Sequence, residues 1–129
     1  PNSIAQKAAL AALTGPTDEL NEMVRTYEVR RNWLVDALNA IPGMHAIKPD
    51  GAFYVFPSVD GWIGKTTPSG ISLDDDVKVC EWLLEEAGVA LVPGTEFGSP
   101  GHIRFSYAVS QDTLEDAVNR IATVAATLV

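Results

Sequence analysis

The sequence predicts an α+β domain with two layers: a small, mostly antiparallel sheet of about three strands, covered on one face by amphipathic helices. Two observations lead to this prediction. Apolar residues recur at helical spacing through three long segments, residues 17–41, 72–88 and 110–128. Short apolar runs bounded by glycine and proline lie between these segments, and the run His102–Ala108 alternates between two faces. Strands interleaved with helices in this way are typical of a two-layer α+β fold.

The N-terminal third of the chain is predicted to be helical. An alanine-rich helix over Ile4–Leu13 ends at Gly15-Pro16. A long helix over residues 17–41 follows, with Thr17 as its cap. With a rise of about 1.5 Å per residue, this helix is more than about 30 Å long, which exceeds what a small domain needs. We therefore expect it to connect two domains.

The middle of the chain is predicted to hold one strand, a loop and a helix. Ala52–Phe56 has the composition of a strand and is bounded by Pro57, and Ser58–Ser72 is rich in Gly, Ser and Thr, as loops are. Ser72 and Asp75 have the spacing of a capping box, which predicts a helix that ends at Gly88. Its predicted buried stripe contains Leu73, Val77, Cys80 and Leu84.

Two further strands and a helix complete the prediction. Val89–Val92 and His102–Ala108 are joined by a loop and are expected to pair in the antiparallel direction. Ser110 is predicted to cap the last helix. That helix has an unbroken apolar stripe of Leu114, Ala117, Val118, Ile121, Val124, Ala125 and Leu128.

Arg104 is the main candidate for a binding residue. In the alternating strand His102–Ala108 it lies on the face opposite to Ile103, Phe105 and Tyr107. If the aromatic face packs on the core, the guanidinium points out of the other face, where its planar set of donors suits a carboxylate or a phosphate. A solvated or ion-paired arginine on a half-exposed sheet is the alternative interpretation.

The composition excludes several classes of function. The net charge of −8 argues against binding to nucleic acid, which needs a basic face. No apolar run is long enough to span a membrane. The single cysteine, Cys80, rules out an internal disulfide and fits a reducing, cytoplasmic compartment. His45 and His102 lack the spacing of metal ligands, so no metal site is expected.

Other reactive or charged groups have ordinary structural interpretations. The glycine-rich loop Gly94–Gly101 does not open a predicted helix, so we interpret it as a shaped connection and not as a phosphate cradle. Asp74–Asp76 are interpreted as a charged helix start, and Cys80 as a core residue. The lysines are expected to lie in solvent, at Lys7, Lys48, Lys65 and Lys78.

Five short sequence motifs, taken in their order along the chain, resemble the C-terminal part of class I aminotransferases. These are the fold-type-I pyridoxal-phosphate enzymes of the aspartate aminotransferase family. The motifs are Pro1–Gln6 (PNSIAQ), Tyr27–Arg31 (YEVRR), Pro49–Phe56 (PDGAFYVF), Val92–Gly98 (VPGTEFG) and Gly101–Ala108 (GHIRFSYA). The similarity extends over essentially the whole chain, and it is greatest to the bacterial aspartate/prephenate-type branch.

The resemblance implies roles for several residues. Arg104 would bind the α-carboxylate of the substrate, and Gly51, Ala52 and Phe53 would line the substrate side of the pocket. In the family, a lysine forms the Schiff base with pyridoxal phosphate. It lies in a serine- and glycine-rich motif that this sequence does not contain. Catalytic and cofactor-binding residues are therefore not expected within the 129 residues, which alone would be inactive.

The resemblance also implies the organisation of the complete enzyme. Residues 1–16 would be the tail of a large domain that this sequence lacks, and residues 17–129 the small C-terminal domain, including the connector helix 17–41. The intact enzyme would be a cytoplasmic homodimer that transfers an amino group between an aspartate-like amino acid and a 2-oxo acid. A non-catalytic α+β module that binds a carboxylate ligand or a protein partner is the alternative.

Overall fold

The computed structural model describes residues 1–129 and contains four α-helices and three short strands. In chain order they are α1 (Ser3–Thr14), α2 (Asp18–Asn39), β1 (Tyr54–Val55), α3 (Asp76–Ala87), β2 (Val92–Pro93), β3 (Ile103–Ser106) and α4 (Gln111–Ala125). A short 3₁₀ helix, Gly94–Phe97, lies between β2 and β3. This order agrees with the order predicted from the sequence.

The three strands form one antiparallel sheet with β3 in its centre, in the order β1-β3-β2. Tyr54 pairs with Ser106 and Val92 pairs with Arg104. The predicted α+β class and the predicted pairing of the last two strands are thus confirmed. All three strands are shorter than predicted, and β2 begins at Val92 and not at Val89.

The core lies between the sheet and the helices α2, α3 and α4, and it contains 22 buried hydrophobic residues. The alternation holds along β3 and the residue that follows it, because Ile103, Phe105 and Tyr107 are each at most 3% exposed. The stripe of α4 packs on this core through Leu114, Val118 and Ile121. Ser110 caps α4 as predicted, with its hydroxyl accepting a hydrogen bond from the Thr113 amide at 3.2 Å.

Helix α3 begins later than the predicted capping box requires. Its cap is Asp75, whose carboxylate accepts a hydrogen bond from the Lys78 amide at 2.8 Å, whereas Ser72 donates to Asp74. The prediction for Leu84 is also wrong, since this residue is 54% exposed. The helical period counted from the true start instead buries Asp76, Val79, Cys80, Leu83 and Ala87.

The loop Ser58–Ser72 contributes a core residue that its composition does not indicate. Trp62 is 1% exposed, its indole N–H donates to the Pro42 carbonyl at 2.8 Å, and its ring packs edge-on against Trp82. The backbone approaches this ring at Gly43, where φ is +87° and where a Cβ would collide with the indole. Only glycine fits such a position.

The N-terminal helices differ from the rest of the chain in their burial. No residue of α1 is buried, and the buried residues of α2 are Leu34, Val35 and Leu38, all in its second half. Leu20, Met23 and Val24 on the first half of α2 are each at least 50% exposed. Thr17 stands at the cap position of α2, but its side chain makes no capping hydrogen bond. None of the four helices has the length and hydrophobicity that crossing a membrane requires.

Candidate active site

The register of the sheet places Arg104 on the face that the helices leave open. Directly opposed residues of antiparallel strands point to the same face, so Arg104 shares its face with Val92, and Ser106 shares it with Tyr54. The pairing of Ser58 with His102 continues the register of β1 and β3, and this register sets Phe56 across from Arg104. The predicted direction of Arg104 is therefore confirmed.

Two aromatic rings lie against the Arg104 guanidinium, and a third lines the same cavity. Its Cζ lies 4.6 Å from the centre of the Phe97 ring and 5.7 Å from that of Tyr54. Phe56 packs edge-on against Phe97 and stacks on His102. Arg104, Tyr54, Phe56 and Phe97 line an open cavity of about 300 Å³. Contact with ring faces favours the cation and lets it be partly buried without a counter-ion.

The Arg104 guanidinium has no carboxylate partner within the chain. All four ion pairs of the structure join other residues, and Arg31 for example lies 3.1 Å from a Glu28 carboxylate oxygen. The cavity beside Arg104 is lined by no acidic residue. A guanidinium presents five N–H donors in one plane, so it can bind a carboxylate through two parallel hydrogen bonds. This arrangement suits a ligand that has a carboxylate next to an apolar group.

The predicted pocket residues Gly51 and Ala52 line a different cavity from that of Arg104. They lie with Tyr27, Arg31 and Tyr107 at the edge of a second cavity of about 330 Å³, between α2 and the turn before β1. Phe53 is 55% exposed, and its ring contacts Tyr54 edge-on. The edge-on contact between the Phe53 and Tyr54 rings thus links the turn to the Arg104 cavity.

Tyr107, three residues after Arg104, fixes the turn that contains the predicted pocket residues. Its hydroxyl donates to the Ala52 carbonyl at 2.9 Å, and its amide donates to the Phe53 carbonyl at 2.8 Å. Ala52 has a φ of 69°, a left-handed conformation that costs a residue with a Cβ about 1–2 kcal/mol. Burial raises the pKa of the Tyr107 phenol, which keeps it protonated as a donor.

Asp76 connects α3 to the loop that carries Phe97. It is 1% exposed, and its carboxylate accepts hydrogen bonds from the Thr95 amide at 2.7 Å, the Thr95 hydroxyl at 2.8 Å and the Gly101 amide at 3.3 Å. Burial by itself raises the pKa of Asp76, but these hydrogen bonds together outweigh it and the net pKa is lowered. Asp76 is therefore a buried anion that is stabilised by its donors.

Two sequence interpretations hold only in part. Asp75 and Asp76 stand at the start of α3 as predicted, the first as its cap and the second as its first residue. Asp76 is in addition buried and bonded to the loop, while Asp74 and Asp75 are exposed. The loop Gly94–Gly101 does begin with a short helical turn, the 3₁₀ helix Gly94–Phe97. Its role as a shaped connection is supported by Gly94, where a Cβ would collide with the Ser99 and His102 backbones.

The remaining reactive side chains do not form a site. Cys80 lies in the core as predicted, and desolvation, with a smaller effect of the Asp76 charge, raises the pKa of its thiol to about 12. The four lysines all lie in solvent, where Lys78 pairs with Glu81 at 2.7 Å. None of them is desolvated, as a lysine that forms a Schiff base is.

Several residues of the site are not indicated by the sequence pattern. Phe97 and Thr95 lie in a glycine-rich loop without periodicity, and Asp76 lies in a run of three aspartates that look equivalent. Phe56 and Tyr54 are recognisable as strand residues, but only the register sets them beside Arg104. The alternation of β3 is the one local signal that identifies Arg104 itself.

Comparison with known proteins agrees with the resemblance that the sequence motifs indicate. Residues 2–121 match the family described as aminotransferase class I and II. An aspartate aminotransferase of Rhizobium meliloti is 47% identical over 122 residues, which are 95% of this chain and 30% of that protein. A probable aspartate/prephenate aminotransferase of Aquifex aeolicus is 46% identical over 121 residues, which are 92% of this chain and 29% of that protein.

Solved structures give the same result. The crystal structure of the Rhizobium meliloti aspartate aminotransferase matches 100% of this chain with a TM-score of 0.96 and 44% sequence identity, over 32% of its own length. An alanine aminotransferase of Pyrococcus furiosus matches 98% of this chain with a TM-score of 0.86 and 34% identity, over 30% of its own length. The chain thus spans about 30% of the length of the relatives that it matches. It belongs to the class I and II aminotransferase family.

Proposed function

We propose that residues 17–129 are the small C-terminal domain of a pyridoxal-phosphate-dependent aminotransferase, which transfers an amino group between an aspartate-like amino acid and a 2-oxo acid. The membership of the family and the names of the relatives, aspartate and aspartate/prephenate aminotransferases, support the reaction type and the substrate class. The single observation that carries the assignment of a site is Arg104, a cation without a carboxylate partner in an aromatic cavity.

In this proposal Arg104 binds the α-carboxylate of the substrate. The amino acid and the 2-oxo acid have this group in common, so one guanidinium serves both directions of the transfer. The two-point contact fixes the plane of the carboxylate and thereby the position of the carbon next to it, which is a positioning contribution to catalysis. In the same proposal Gly51, Ala52 and Phe53 line the substrate side of the pocket from their own turn, which the Tyr107 hydroxyl holds through the Ala52 carbonyl.

Pyridoxal phosphate is the cofactor of the family, and it supplies the electron sink for amino-group transfer when bound. The residues of this chain do not fit its Schiff-base site, because all four lysines are exposed and none is desolvated. We therefore assign to residues 1–129 no step of the chemistry on the cofactor. In the proposed enzyme the cofactor is held by residues outside this sequence.

The exposed N-terminal helix supports a division between two domains. No residue of α1 is buried, and Ile4 and Leu13 are more than 80% exposed. Apolar side chains in such a position indicate a surface that packs on another part of the protein. We propose that residues 1–16 end the large domain, that α2 connects the two domains, and that the complete enzyme is a cytoplasmic homodimer.

Steady-state kinetics of the full-length protein that contains this chain tests the proposal. The variant Arg104→Ala removes one partner of a desolvated charge pair, which costs about 2–5 kcal/mol, so kcat/KM for both substrates is expected to fall about thirtyfold to a few thousandfold. Arg104→Lys should recover part of this loss, since an ammonium cannot form the planar contact.

The matched control is Arg120→Ala, which removes an exposed arginine that pairs with Asp116 on α4. Its kcat/KM should equal that of the unaltered protein. If Arg104→Ala leaves kcat/KM for both substrates unchanged, Arg104 is only a strand residue and does not bind the substrate carboxylate.

A further inference from the structure

The loop that carries Phe97 is held to the body of the domain by one buried side chain. The Asp76 carboxylate accepts hydrogen bonds at both ends of the segment, from the Thr95 amide and hydroxyl and from the Gly101 amide. These partners are 19 and 25 residues away along the chain. The carboxylate therefore holds both ends of the loop to the first residue of α3.

Phe97 lies between these two anchored residues and covers Arg104. Its position follows from Thr95, which is two residues earlier on the same 3₁₀ helix, and the Phe97 ring centre is 4.6 Å from the Arg104 Cζ. Phe97 itself is 50% exposed, so little besides the loop backbone and the Phe56 ring fixes it. The direction of the guanidinium thus depends on a ring whose backbone is held by Asp76.

We propose that Asp76 is a positioning residue for Arg104: it holds the Thr95–Gly101 loop so that the Phe97 ring lies on the guanidinium and directs its donors toward a carboxylate ligand. This inference rests on the proposed function for the identity of the ligand. Asp76 does not touch the ligand, because its carboxylate is buried and used by the loop.

The chain offers a matched control at the adjacent position. Asp75 is also an aspartate at the start of α3, but it is exposed and caps the helix through the Lys78 amide without contact to the loop. Asp75→Asn and Asp76→Asn remove the same charge from the same helix end. Only the second variant takes an acceptor from Thr95 and Gly101.

The first experiment measures the exposure of Arg104 without reference to activity. The full-length protein and its variants are treated with phenylglyoxal, which modifies arginine, and the rate at Arg104 is followed by peptide mass spectrometry. Loss of the ring contact should raise the rate about three- to fivefold in Asp76→Asn and Phe97→Ala, in line with the strength of an exposed cation–π contact, and Asp75→Asn should leave it unchanged. An unchanged rate in Asp76→Asn overturns the proposal.

Thr95→Val takes the place of Asp76→Asn in the labelling experiment if Asp76→Asn fails to fold. It removes only the hydroxyl donor to the Asp76 carboxylate and keeps the size of the side chain and the amide hydrogen bond. It should raise the labelling rate of Arg104 in the same direction as Asp76→Asn and by less. A well-folded Thr95→Val protein with an unchanged labelling rate also counts against the role of Asp76.

The second experiment is a double-mutant cycle in steady-state kinetics. Asp76→Asn should lower kcat/KM for both substrates about tenfold, as expected for a displaced binding group. In the Arg104→Ala background the same change should have little effect, because residues that act through one another are not additive. Equal losses in both backgrounds refute action through Arg104. If labelling responds to Asp76→Asn but Arg104→Ala leaves kcat/KM unchanged, the positioning of Arg104 stands and the proposed function fails.

Discussion

Asp76 and Arg104 are two charged side chains that both contact the loop Thr95–Gly101: Asp76 accepts hydrogen bonds from its ends, and Arg104 lies against its Phe97 ring. They differ in whether their own hydrogen-bonding groups have partners within the chain. Asp76 is 1% exposed and accepts three hydrogen bonds from the chain itself. Arg104 is partly buried among aromatic rings and has no carboxylate partner. A buried charge without a partner is costly, so the first arrangement is what a purely structural charge requires.

The difference indicates which of the two charges is available to a ligand. The donors around Asp76 are committed to one loop geometry, whereas the planar donors of Arg104 are left for a group from outside the chain. The aromatic rings favour the cation without neutralising it. In the proposed enzyme, Asp76 thus serves the structure and Arg104 the binding of substrate, and the loop Thr95–Gly101 connects the two.

The largest expected effect of this difference is on stability. Asp76→Ala leaves the Thr95 and Gly101 donors without their acceptor, so the free energy of unfolding of the full-length protein should fall by about 3 kcal/mol. Arg104→Ala removes a side chain without hydrogen-bonded partners in the fold and should change it by less than about 1 kcal/mol. Urea denaturation of both variants measures this. Equal losses would mean that Arg104 supports the fold as much as Asp76 does.

The two charges also show what the sequence can predict. Arg104 lies in a strand whose alternation over seven residues, His102–Ala108, defines its face locally, and the structure agrees. Asp76 follows Asp74 and Asp75, and no local pattern separates the three. Its burial depends on where α3 begins and on a loop 19 to 25 residues away. Long-range contacts of this kind are not encoded in any short window of sequence.

The turn before β1 shows the same limit. Pro49-Asp50-Gly51 has the composition of a turn, and glycine is the residue that adopts a left-handed conformation at the lowest cost. The structure gives the positive φ to Ala52, whose carbonyl is held by Tyr107 from 55 residues away. The positive φ at Ala52 thus coincides with a tertiary hydrogen bond and not with the local preference of the residue.

A smaller effect is expected in the pH dependence of stability. The pKa of Asp76 is lowered below its ordinary value of 3.8, so between the two values the unfolded chain binds more protons than the folded one. The stabilisation by the ionised carboxylate is complete above that ordinary value and is lost as the pH falls through the lower pKa of the folded state. Urea denaturation between pH 6 and the acid range should show a fall that is shallower in Asp76→Asn. Identical slopes in the two proteins would contradict the assigned hydrogen bonds.

The smallest expected effect on stability concerns Gly51, a predicted pocket residue that neither charge contacts. A Cβ at Gly51 meets nothing within 4 Å, and its φ lies outside the left-handed region, so Gly51→Ala should change the free energy of unfolding by less than about 0.5 kcal/mol. Gly43→Ala is the control at a crowded glycine, because its Cβ would collide with Trp62 at a φ of +87°. That variant should be clearly destabilised.

If Gly51 lines the substrate side, Gly51→Ala should raise KM in the full-length enzyme while the urea midpoint stays fixed. An unchanged KM would remove Gly51 from the site and leave Arg104 as its main determinant in this chain.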